Sequence, residues 1–352
     1  MEQYFKKQKE AITQYLLKYL RDQEKSLSHI NMFGPDVLSR LQDFAHEGKM
    51  VRGGLILLSE EMFKGEFSED GLKAACAMEL MHTSLLIHDD IMDNDFTRRG
   101  KRTIFAQYTD LGEKHNVKNS LAFGQSMGIC VGDIGFFLGF SLLSQLGCDP
   151  NKKTNIISLF SNEMTAVGLM QMQDVYYGST DKTVKEEEVL AMYTYKTARY
   201  TFTLPLQTGA HLAGQSQQVM HSLDTLGEAL GIIFQIKDDE LGIYGHEETL
   251  GKPIGSDIRE EKKTLFYTTL FSKATDEQQL KLRDIFGNPK LTPEMIEYVR
   301  LIIETSGTRT VIDHRVSQLS TVAKQLISDL STTAEYKTIL QGLLNYNLSR
   351  TK

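Results

Sequence analysis

Residues 70–95 read DGLKAACAMELMHTSLLIHDDIMDND, and this stretch decides the fold class. Its apolar side chains are Leu72, Ala75, Met78, Leu80, Met81, Leu85, Leu86 and Ile91. Their spacing predicts one long, strongly apolar α-helix. Because aspartates follow the apolar residues directly, the helix is expected to carry carboxylates at its C-terminal end.

The same helical spacing returns on both sides of this stretch. Helices are predicted at 2–22, 36–46, 52–64, 119–146, 152–177, 186–195, 197–214, 218–243, 262–274, 276–286, 292–304, 308–331 and 333–347. Strand-like alternation is scarce, and only 6 prolines occur in 352 residues, which favours an all-α fold. The Gly/Pro breaks are too short for a domain linker, so residues 1–352 are predicted to form a single domain.

Charge and cysteine content exclude several classes of protein. A formal net charge of −7 argues against a general basic surface for nucleic acid. Cys76, Cys130 and Cys148 form no Cys-x-x-Cys pair, which predicts a reduced cytoplasmic chain without a cysteine-based zinc site. The charged N-terminus is not followed by the apolar segment of a secretory signal.

The most apolar segment, Met127–Leu146, includes Asp133 and four glycines. A charge near the centre of a membrane span is costly, so this segment is predicted to be a buried core helix and not a transmembrane helix.

Two acidic segments point to metal chemistry. Asp89 and Asp93 are four residues apart, share one helical face and repel each other unless a cation lies between them. Hard oxygen ligands at this spacing suit Mg²⁺, although a solvated acidic helix end has the same pattern. Asp238 and Asp239 follow a second apolar stretch about 150 residues later. Facing each other across a bundle, the two segments would make a site for two or more divalent ions.

Cations cluster next to the acidic segments. They are Lys49, Arg52, Arg98, Arg99, Lys196, Lys252, Lys262 and Lys263. In an acidic protein, such a set predicts a polyanionic ligand, and diphosphates are the natural candidates because Arg and Lys make charge-assisted bonds to phosphate oxygens. No phosphate-binding loop of the ordinary nucleotide folds is present. His82 lies two helical turns before Asp89, where either a core histidine or a ligand-binding one is possible.

At these positions the sequence resembles the trans-type isoprenyl diphosphate synthases over nearly its whole length. The matching blocks, in order, are Gly48-Lys49-x-x-Arg52, His82, Asp89-Asp90-x-x-Asp93, Arg98-Arg99-Gly100, Gln171-x-x-Asp174, Lys196-Thr197, Phe234-Gln235-x-x-Asp238-Asp239 and Gly251-Lys252…Gly255-Ser-Asp257…Lys262.

The resemblance implies an all-α bundle around a deep central cavity, in a homodimer. It implies head-to-tail condensation of isopentenyl diphosphate with an allylic diphosphate, assisted by up to three Mg²⁺ ions, for which Mn²⁺ can substitute. Metal and cationic side chains would stabilise the leaving diphosphate, and an apolar cavity would keep water from the allylic cation.

The resemblance also implies a role for each site residue. The metal ligands would be Asp89, Asp93 and Asp238, with Asp90 and Asp239 as secondary, orienting carboxylates. The allylic diphosphate would be held by Arg98, Lys196, Lys252 and Lys262, and isopentenyl diphosphate by Lys49, Arg52, His82 and Arg99. Thr197 and Gln235 would lie beside the developing cation, and Lys263 would be a solvated neighbour.

Two positions depart from the family pattern. Gly242 stands where the family often has a third Asp, which questions the full affinity of the second metal site. Gly53 stands where many members have Pro, and this change is expected to affect only a helix start.

Residues 81, 84 and 85 bear on product length. Met81, Ser84 and Leu85 precede Asp89 by eight, five and four positions and are expected to line the wall along the growing chain. In the family a bulky aromatic there stops growth early, so the small Ser84 predicts twenty-carbon geranylgeranyl diphosphate as the main product. Farnesyl or longer polyprenyl diphosphates are the alternatives, and Ser84 could also be an ordinary small helix–helix contact.

Two other functions share part of the pattern. A terpene cyclase would not need the isopentenyl set Lys49, Arg52, His82 and Arg99. A non-catalytic regulatory subunit should have lost metal or diphosphate residues, and here only the last Asp of the second motif is missing.

Overall fold

The computed structural model describes residues 1–180, 182–245 and 255–350. Its helices are α1 (Glu2–Leu27), α2 (Phe33–His46), α3 (Val51–Lys64), α4 (Glu69–Met92), α5 (Ile104–Lys114), α6 (Ser120–Ser144), α7 (Pro150–Gly178), α8 (Glu186–Met192), a π-helix (Tyr193–Thr203), α9 (Leu204–Leu212), α10 (Gln217–Tyr244), α11 (Ser256–Arg259), α12 (Leu265–Lys273), α13 (Asp276–Ile285), α14 (Pro293–Thr305), α15 (Thr308–Asp329) and α16 (Ala334–Leu348). Within the described ranges the only strands are β1 (Thr97–Arg98) and β2 (Lys101–Arg102). The predicted all-α fold is confirmed.

Four local features differ from the predicted elements, and one of them is the single-turn helix α11, which was not expected between 243 and 262. The short helix α5 and the hairpin β1–β2 were not expected from the sequence pattern. Arg99 and Gly100 connect the two strands, and both have positive φ angles, 52° and 76°, as a tight hairpin turn requires. The helices predicted at 186–195 and 197–214 are joined by the π-helix into one continuous helical segment.

The chain folds into two compact units. The N-terminal unit comprises Glu2–Ser158 and Gln207–Gln215. The C-terminal unit comprises Leu159–Leu206 and Ser216–Lys352, together with Met1. The prediction that residues 1–352 form a single domain stays a prediction.

In the N-terminal unit, α4 packs along α6 through glycines of α6. Ser68 caps α4 by accepting a hydrogen bond from the Gly71 amide at 3.1 Å, and two acidic residues complement the helix dipole in the first turn. The α6 glycines are Gly124, Gly128, Gly132, Gly135 and Gly139. A Cβ at Gly135 or Gly139 would collide with Ser84 or Met81, so only glycine permits this close approach of the two helices.

The opposite face of α6 is not buried. Phe137 is 73% exposed and Ile129 47% exposed. The segment predicted as a buried core helix is therefore buried on its glycine face only. Among the described residues, α6 is the one helix long and apolar enough to cross a membrane by length and composition, and 44% of its apolar window is buried in the protein.

In the C-terminal unit, the Arg199 guanidinium ties three helices together. It donates to Glu163 on α7 and to Asp224 and Glu228 on α10, with N–O distances between 2.6 and 3.1 Å. Burial alone would lower the pKa of Arg199, but the hydrogen bonds and charges of these carboxylates raise it above its usual value. The π-helix that carries Lys196 and Thr197 is thus fixed to both neighbours.

Candidate active site

The C-terminal end of α4 presents its three motif aspartates differently. Asp89 is partly exposed, and Asp93, the residue that caps the helix, is exposed. Asp90 is only 1% exposed and accepts a hydrogen bond from Arg98 Nε at 2.7 Å. Burial raises the pKa of Asp90 to about 6, although the Arg98 guanidinium opposes the shift. The helix therefore offers two carboxylates outward and uses the third to orient Arg98.

The hairpin after α4 presents the arginine pair. Arg98 lies on β1, and Arg99 occupies the first position of the turn in a left-handed conformation that favours glycine. A Cβ at Gly48 would lie 3.9 Å from Arg99 Nη1, which places the Arg99 guanidinium near the loop that carries Lys49. Burial and the charge of Arg98 lower the pKa of Arg99 below its usual value. Two arginines held this close together are suited to bind an anion.

His82 belongs to this cationic cluster and is not an isolated core histidine. Its Nε2 lies 3.1 Å from Arg52 Nη1. Burial, followed by the charges of Arg52 and Arg99, holds the pKa of His82 well below its usual range. The imidazole is neutral near pH 7, and because an arginine can only donate, Nε2 is the acceptor and Nδ1 carries the hydrogen.

Lys49 and Arg52 flank the start of α3. Lys49 is exposed, and the following Met50 adopts a left-handed conformation at φ 51° before the helix begins. Glu79 of α4 accepts a hydrogen bond from the Gly53 amide at 2.7 Å, and its carboxyl also lies near Arg52 and Arg99. Gly53 does more than start a helix, because a Cβ there would press on Ile12, Ala75 and Glu79.

The three residues assigned to chain length do not share one environment. Ser84 and Met81 are fully buried and face Gly135 and Gly139 of α6, respectively. The Ser84 hydroxyl donates to the Leu80 carbonyl oxygen at 3.1 Å. Leu85 is partly exposed. Ser84 and Met81 are thus contacts between packed helices, and their role in product length stays a prediction.

In the C-terminal unit, four predicted or newly found residues form a hydrogen-bonded chain. The Thr197 hydroxyl donates to Gln235 Oε1 at 2.8 Å, and Gln235 Nε2 donates to Asp239 Oδ1 at 2.8 Å. The Tyr193 hydroxyl donates to Asp239 Oδ2. Burial and the nearby Asp257 raise the pKa of Asp239 well above its usual value, while the hydrogen bonds from Tyr193 and Gln235 oppose that shift.

Lys196 directly precedes Thr197 of this hydrogen-bonded chain and pairs with a family-motif carboxylate. Its Nζ forms a hydrogen-bonded ion pair with Asp174 of α7. Both side chains are partly exposed, at 28% for Lys196 and 37% for Asp174. The structure therefore brings together Gln171-x-x-Asp174 and Lys196-Thr197, although Asp174 and Lys196 are 22 residues apart in the sequence.

The second acidic motif separates into one accessible and two engaged carboxylates. Asp238 is 54% exposed and has Arg350 Nη2 at 3.3 Å. Asp239 is buried in the chain described above. Glu240 is held by Lys237 at 2.6 Å and Arg309 at 2.7 Å. Asp238 is therefore the motif carboxylate most available to a metal ion.

The space left by Gly242 is occupied. A Cβ at position 242 would collide with the Asp257 carboxylate, which enters from α11. Lys262 lies 3.8 Å from Asp257 and 3.2 Å from Glu260. Lys252 lies outside the described residues.

Lys263 was predicted to be a solvated neighbour, and this was wrong. Its side chain is buried, forms an ion pair with Glu261 and donates a hydrogen bond to the Tyr267 hydroxyl oxygen at 3.2 Å. The ammonium group also lies 4.5 Å from the centre of the Tyr267 ring. Its packing under the aromatic ring explains why it is not solvated.

The accessible carboxylates of each unit are of a kind that suits magnesium. Asp89 and Asp93 in the N-terminal unit, and Asp238 in the C-terminal unit, are solvent-accessible hard oxygen donors. Asp90 and Asp239 are buried and accept protein hydrogen bonds. Within the described ranges, no three His, Cys, Asp or Glu side chains form a metal-binding group by themselves. Mg²⁺ usually takes one or two carboxylates and completes its coordination with water and substrate phosphates.

Sequence reasoning missed Tyr193, Asp257 and Glu79. Tyr193 lies three residues before Lys196, yet its partners are 46 and 72 residues away. A polar residue inside an apolar helix, as Glu79 is in α4, was the available signal for a buried partner. Asp257 lies within a motif that matches the family, but its position opposite Gly242 was not predicted.

Comparison with known proteins agrees with this arrangement. The profile of the polyprenyl synthetase family matches residues 37–303. A geranylgeranyl diphosphate synthase from Saccharolobus solfataricus is 33% identical over 272 residues, which cover 77% of this chain and 76% of that protein. A farnesyl diphosphate synthase from Geobacillus stearothermophilus is 31% identical over 287 residues, with 80% and 87% covered.

A solved structure extends the likeness to the fold. The geranylgeranyl pyrophosphate synthase from Corynebacterium glutamicum, complexed with isoprenyl diphosphate and magnesium, matches with a TM-score of 0.88 and 29% identity. The match covers 98% of this chain and 99% of that one. This chain therefore belongs to the polyprenyl synthetase family and is a trans-prenyltransferase with the all-α fold of isoprenyl diphosphate synthases.

Proposed function

We propose that this enzyme condenses isopentenyl diphosphate with an allylic diphosphate, that the reaction depends on Mg²⁺, and that geranylgeranyl diphosphate is its main product. The observation that carries the proposal is the Arg52–His82 hydrogen bond beside Arg99. A neutral histidine among arginines presents an N–H donor without adding repulsion to an already positive cluster. Such a cluster suits a second diphosphate, which a cyclase would not bind.

The isopentenyl diphosphate site is assigned to the N-terminal unit. Arg52, Arg99 and Lys49 supply charge for the diphosphate oxygens, and His82 supplies the Nδ1 hydrogen. Glu79 lies near Arg52 and Arg99 and limits their mutual repulsion. The cationic cluster is therefore already arranged before the substrate binds, which reduces the reorganisation needed on binding.

The allylic diphosphate is assigned to Arg98, Lys196, Lys262 and Lys252. Asp89, Asp93 and Asp238 would hold up to three Mg²⁺ ions, for which Mn²⁺ would substitute. Bound metal would supply a Lewis acid for the departing diphosphate. Arg98, fixed by Asp90, and Lys196, fixed by Asp174, add cationic groups that stabilise the negative charge developing on the leaving group.

Thr197 and Gln235 are assigned to the allylic cation. Their oxygen atoms carry partial negative charge and are hydrogen-bonded to each other at 2.8 Å. Neutral oxygens stabilise a cation by their dipoles. Unlike a protein nucleophile, they do not form a covalent bond to it. The proton lost after attack by the isopentenyl double bond would pass to the released diphosphate, a nearby base.

The product assignment rests on residues 84 and 85. Neither is aromatic, and Ser84 packs so closely against Gly135 that no bulky side chain occupies this part of the α4–α6 interface. This supports growth beyond fifteen carbons. Farnesyl and longer polyprenyl diphosphates are the alternative products.

We assign the enzyme to the cytoplasm as a homodimer. The three cysteines are all free thiols, as in a reduced compartment. The exposed apolar face of α6, with Phe137 and Ile129, supports burial against a second copy. Phe137→Glu should yield monomers by size-exclusion chromatography with light scattering, whereas Leu280→Glu, at an exposed leucine on α13, should not.

Product analysis tests the function. The purified enzyme is incubated with Mg²⁺, labelled isopentenyl diphosphate and, separately, dimethylallyl, geranyl and farnesyl diphosphate, and the dephosphorylated products are identified by mass spectrometry. Geranylgeraniol is expected from each primer, and it should disappear with EDTA or in Asp89→Ala but not in Asp22→Ala, an exposed control on α1. Farnesol or longer alcohols would overturn the product assignment, and no incorporation would overturn the function.

A further inference from the structure

Tyr193 is the buried end of the hydrogen-bonded chain that leads to Thr197. It is only 3% exposed and lies at the start of the π-helix. The Leu265 amide donates to the Tyr193 hydroxyl oxygen at 2.7 Å, and the hydroxyl donates to Asp239 Oδ2. Because Leu265 opens α12, its N–H has no partner within the helix, and Tyr193 supplies one. The Tyr193 hydrogen is therefore directed at Asp239.

Asp239 in turn fixes the orientation of the Gln235 amide. Its other oxygen accepts from Gln235 Nε2 at 2.8 Å, so the amide hydrogens of Gln235 face Asp239. The Gln235 carbonyl oxygen then faces Thr197, whose hydroxyl lies 2.8 Å away. A glutamine amide can rotate by half a turn and exchange its oxygen and nitrogen at little steric cost. Asp239 decides between the two orientations.

We propose that Tyr193 is a positioning residue for prenyl transfer: it holds Asp239 so that Gln235 and Thr197 keep their oxygen atoms oriented while the allylic cation forms. This inference rests on the proposed function. Tyr193 does not need to touch substrate, since it acts through Asp239 and Gln235. Its link to Leu265 also joins the chain to the segment that carries Lys262, so the leaving-group side and the cation side share one buried anchor.

A kinetic cycle separates positioning from mere structural support. The variants are Tyr193→Phe, Thr197→Val and the double variant, with kcat, both KM values and the melting temperature measured for each. Tyr193→Phe should lower kcat about tenfold and change the KM for isopentenyl diphosphate less than twofold. The double variant should lose less than the product of the two single losses, because Tyr193 then has only Gln235, and no longer Thr197, to orient.

Tyr267→Phe is the matched control. Tyr267 also lies in the C-terminal unit. Its hydroxyl donates to Glu261 at 3.1 Å and accepts a hydrogen bond from Lys263 at 3.2 Å, so it is not part of the hydrogen-bonded chain from Tyr193 to Thr197. The Tyr267→Phe variant should have a lower melting temperature, and its kcat should change less than twofold. If the Tyr193 and Thr197 effects multiply in the double variant, or if Tyr193→Phe lowers only the melting temperature, the positioning role is wrong.

A second variant covers the case in which Tyr193→Phe does not fold. Asp239→Asn keeps an acceptor for Tyr193 but turns an amide toward Gln235, which should reverse the Gln235 amide and lower kcat to a similar extent. Unchanged kcat in a folded Asp239→Asn would also overturn the proposal. Failure of the proposed function is recognised separately, because the unmodified enzyme would then form no prenyl product.

Discussion

The Asp257 carboxylate occupies the space that a side chain at Gly242 would need. Gly242 lies one helical turn after Asp238, on the same face of α10. The missing third aspartate of the second motif is therefore not a vacancy, since a carboxylate from another segment fills the position. An aspartate added at position 242 would therefore have to displace the Asp257 side chain.

Gly242→Asp should consequently impair the enzyme instead of completing its motif. Forcing a side chain against Asp257 should cost about 1–3 kcal/mol of unfolding free energy, and repulsion between the two carboxylates adds to that cost. Thermal and urea unfolding measure the effect. Gly168→Asp is the control, since a Cβ at Gly168 meets no atom within 4 Å. A Gly242→Asp enzyme as stable as the control, with tighter Mg²⁺ binding, would contradict this account.

Asp89→Ala and Asp93→Ala should each abolish Mg²⁺-dependent turnover without unfolding the protein. Both residues lie at the outward end of α4, and removing one relieves repulsion in the metal-free enzyme. The melting temperature without metal should stay the same or rise slightly. Product formation and thermal unfolding are measured in parallel, and near-normal turnover in either variant would refute the metal assignment.

The two sets of cations should separate by substrate. Lys49→Ala and Arg52→Ala should mainly raise the KM for isopentenyl diphosphate, and Lys196→Ala should mainly raise the KM for the allylic substrate. Loss of one charge-assisted contact should cost about 1.5–3 kcal/mol, roughly ten- to a hundredfold in affinity. Steady-state kinetics with each substrate varied in turn tests the division. Equal losses for both substrates in all three variants would contradict it.

Helices and site motifs could be predicted from the sequence because both depend on local spacing. Helix α4 was expected over 70–95 and is observed as Glu69–Met92, with the early end caused by the turn at Asn94, whose φ is 52°. The hairpin β1–β2 could not be predicted, since strands of two residues are too short to show alternation.

Contacts between distant residues set the limit of prediction. Arg199 of the π-helix reaches carboxylates on two other helices, and no local pattern specifies such pairs. The glycine face of α6 was readable, because its glycines recur every three or four residues. The partners of those glycines were not readable, and they decide that Ser84 faces α6.

The stability of the C-terminal unit should depend on pH through Glu188. The Lys185 amide, Lys182 and Tyr177 all donate to this carboxylate at 2.9 Å and lower its pKa from 4.5 to about 2. A carboxylate whose pKa is lowered in the folded state stabilises the protein at pH values above its pKa in the unfolded state. This stabilisation is lost as the pH falls toward 2.

Glu188→Gln should therefore be less stable than the unmodified protein by about 1 kcal/mol above pH 5, as for a lost helix cap, and the difference should shrink between pH 4.5 and 2. Urea unfolding at a series of pH values measures it. Glu187→Gln, at an exposed position of the same helix, controls for the loss of one charge. A Glu188 difference that stays constant down to pH 2 would disprove the assignment.

Product length should respond to aromatic side chains at residues 84 and 85. Ser84→Phe places a large ring where Gly135 admits only a small contact, so α4 and α6 must move apart at a cost of about 1–3 kcal/mol. Leu85 is partly exposed, and Leu85→Phe should fold with little loss. Both variants should shift the main product from twenty carbons toward fifteen, measured by mass spectrometry of the dephosphorylated alcohols.

Comparison of the two variants separates a floor for the growing chain from a general disturbance of packing. If Ser84→Phe shortens the product and loses stability while Leu85→Phe has no effect, the shortening comes from displaced helices. In that case an aromatic side chain that leaves the packing intact does not stop the growing chain. If Leu85→Phe shortens the product at an unchanged melting temperature, the chain runs along the partly exposed side of α4. Folded, active variants that both still release twenty-carbon product would show that chain length is set by other residues.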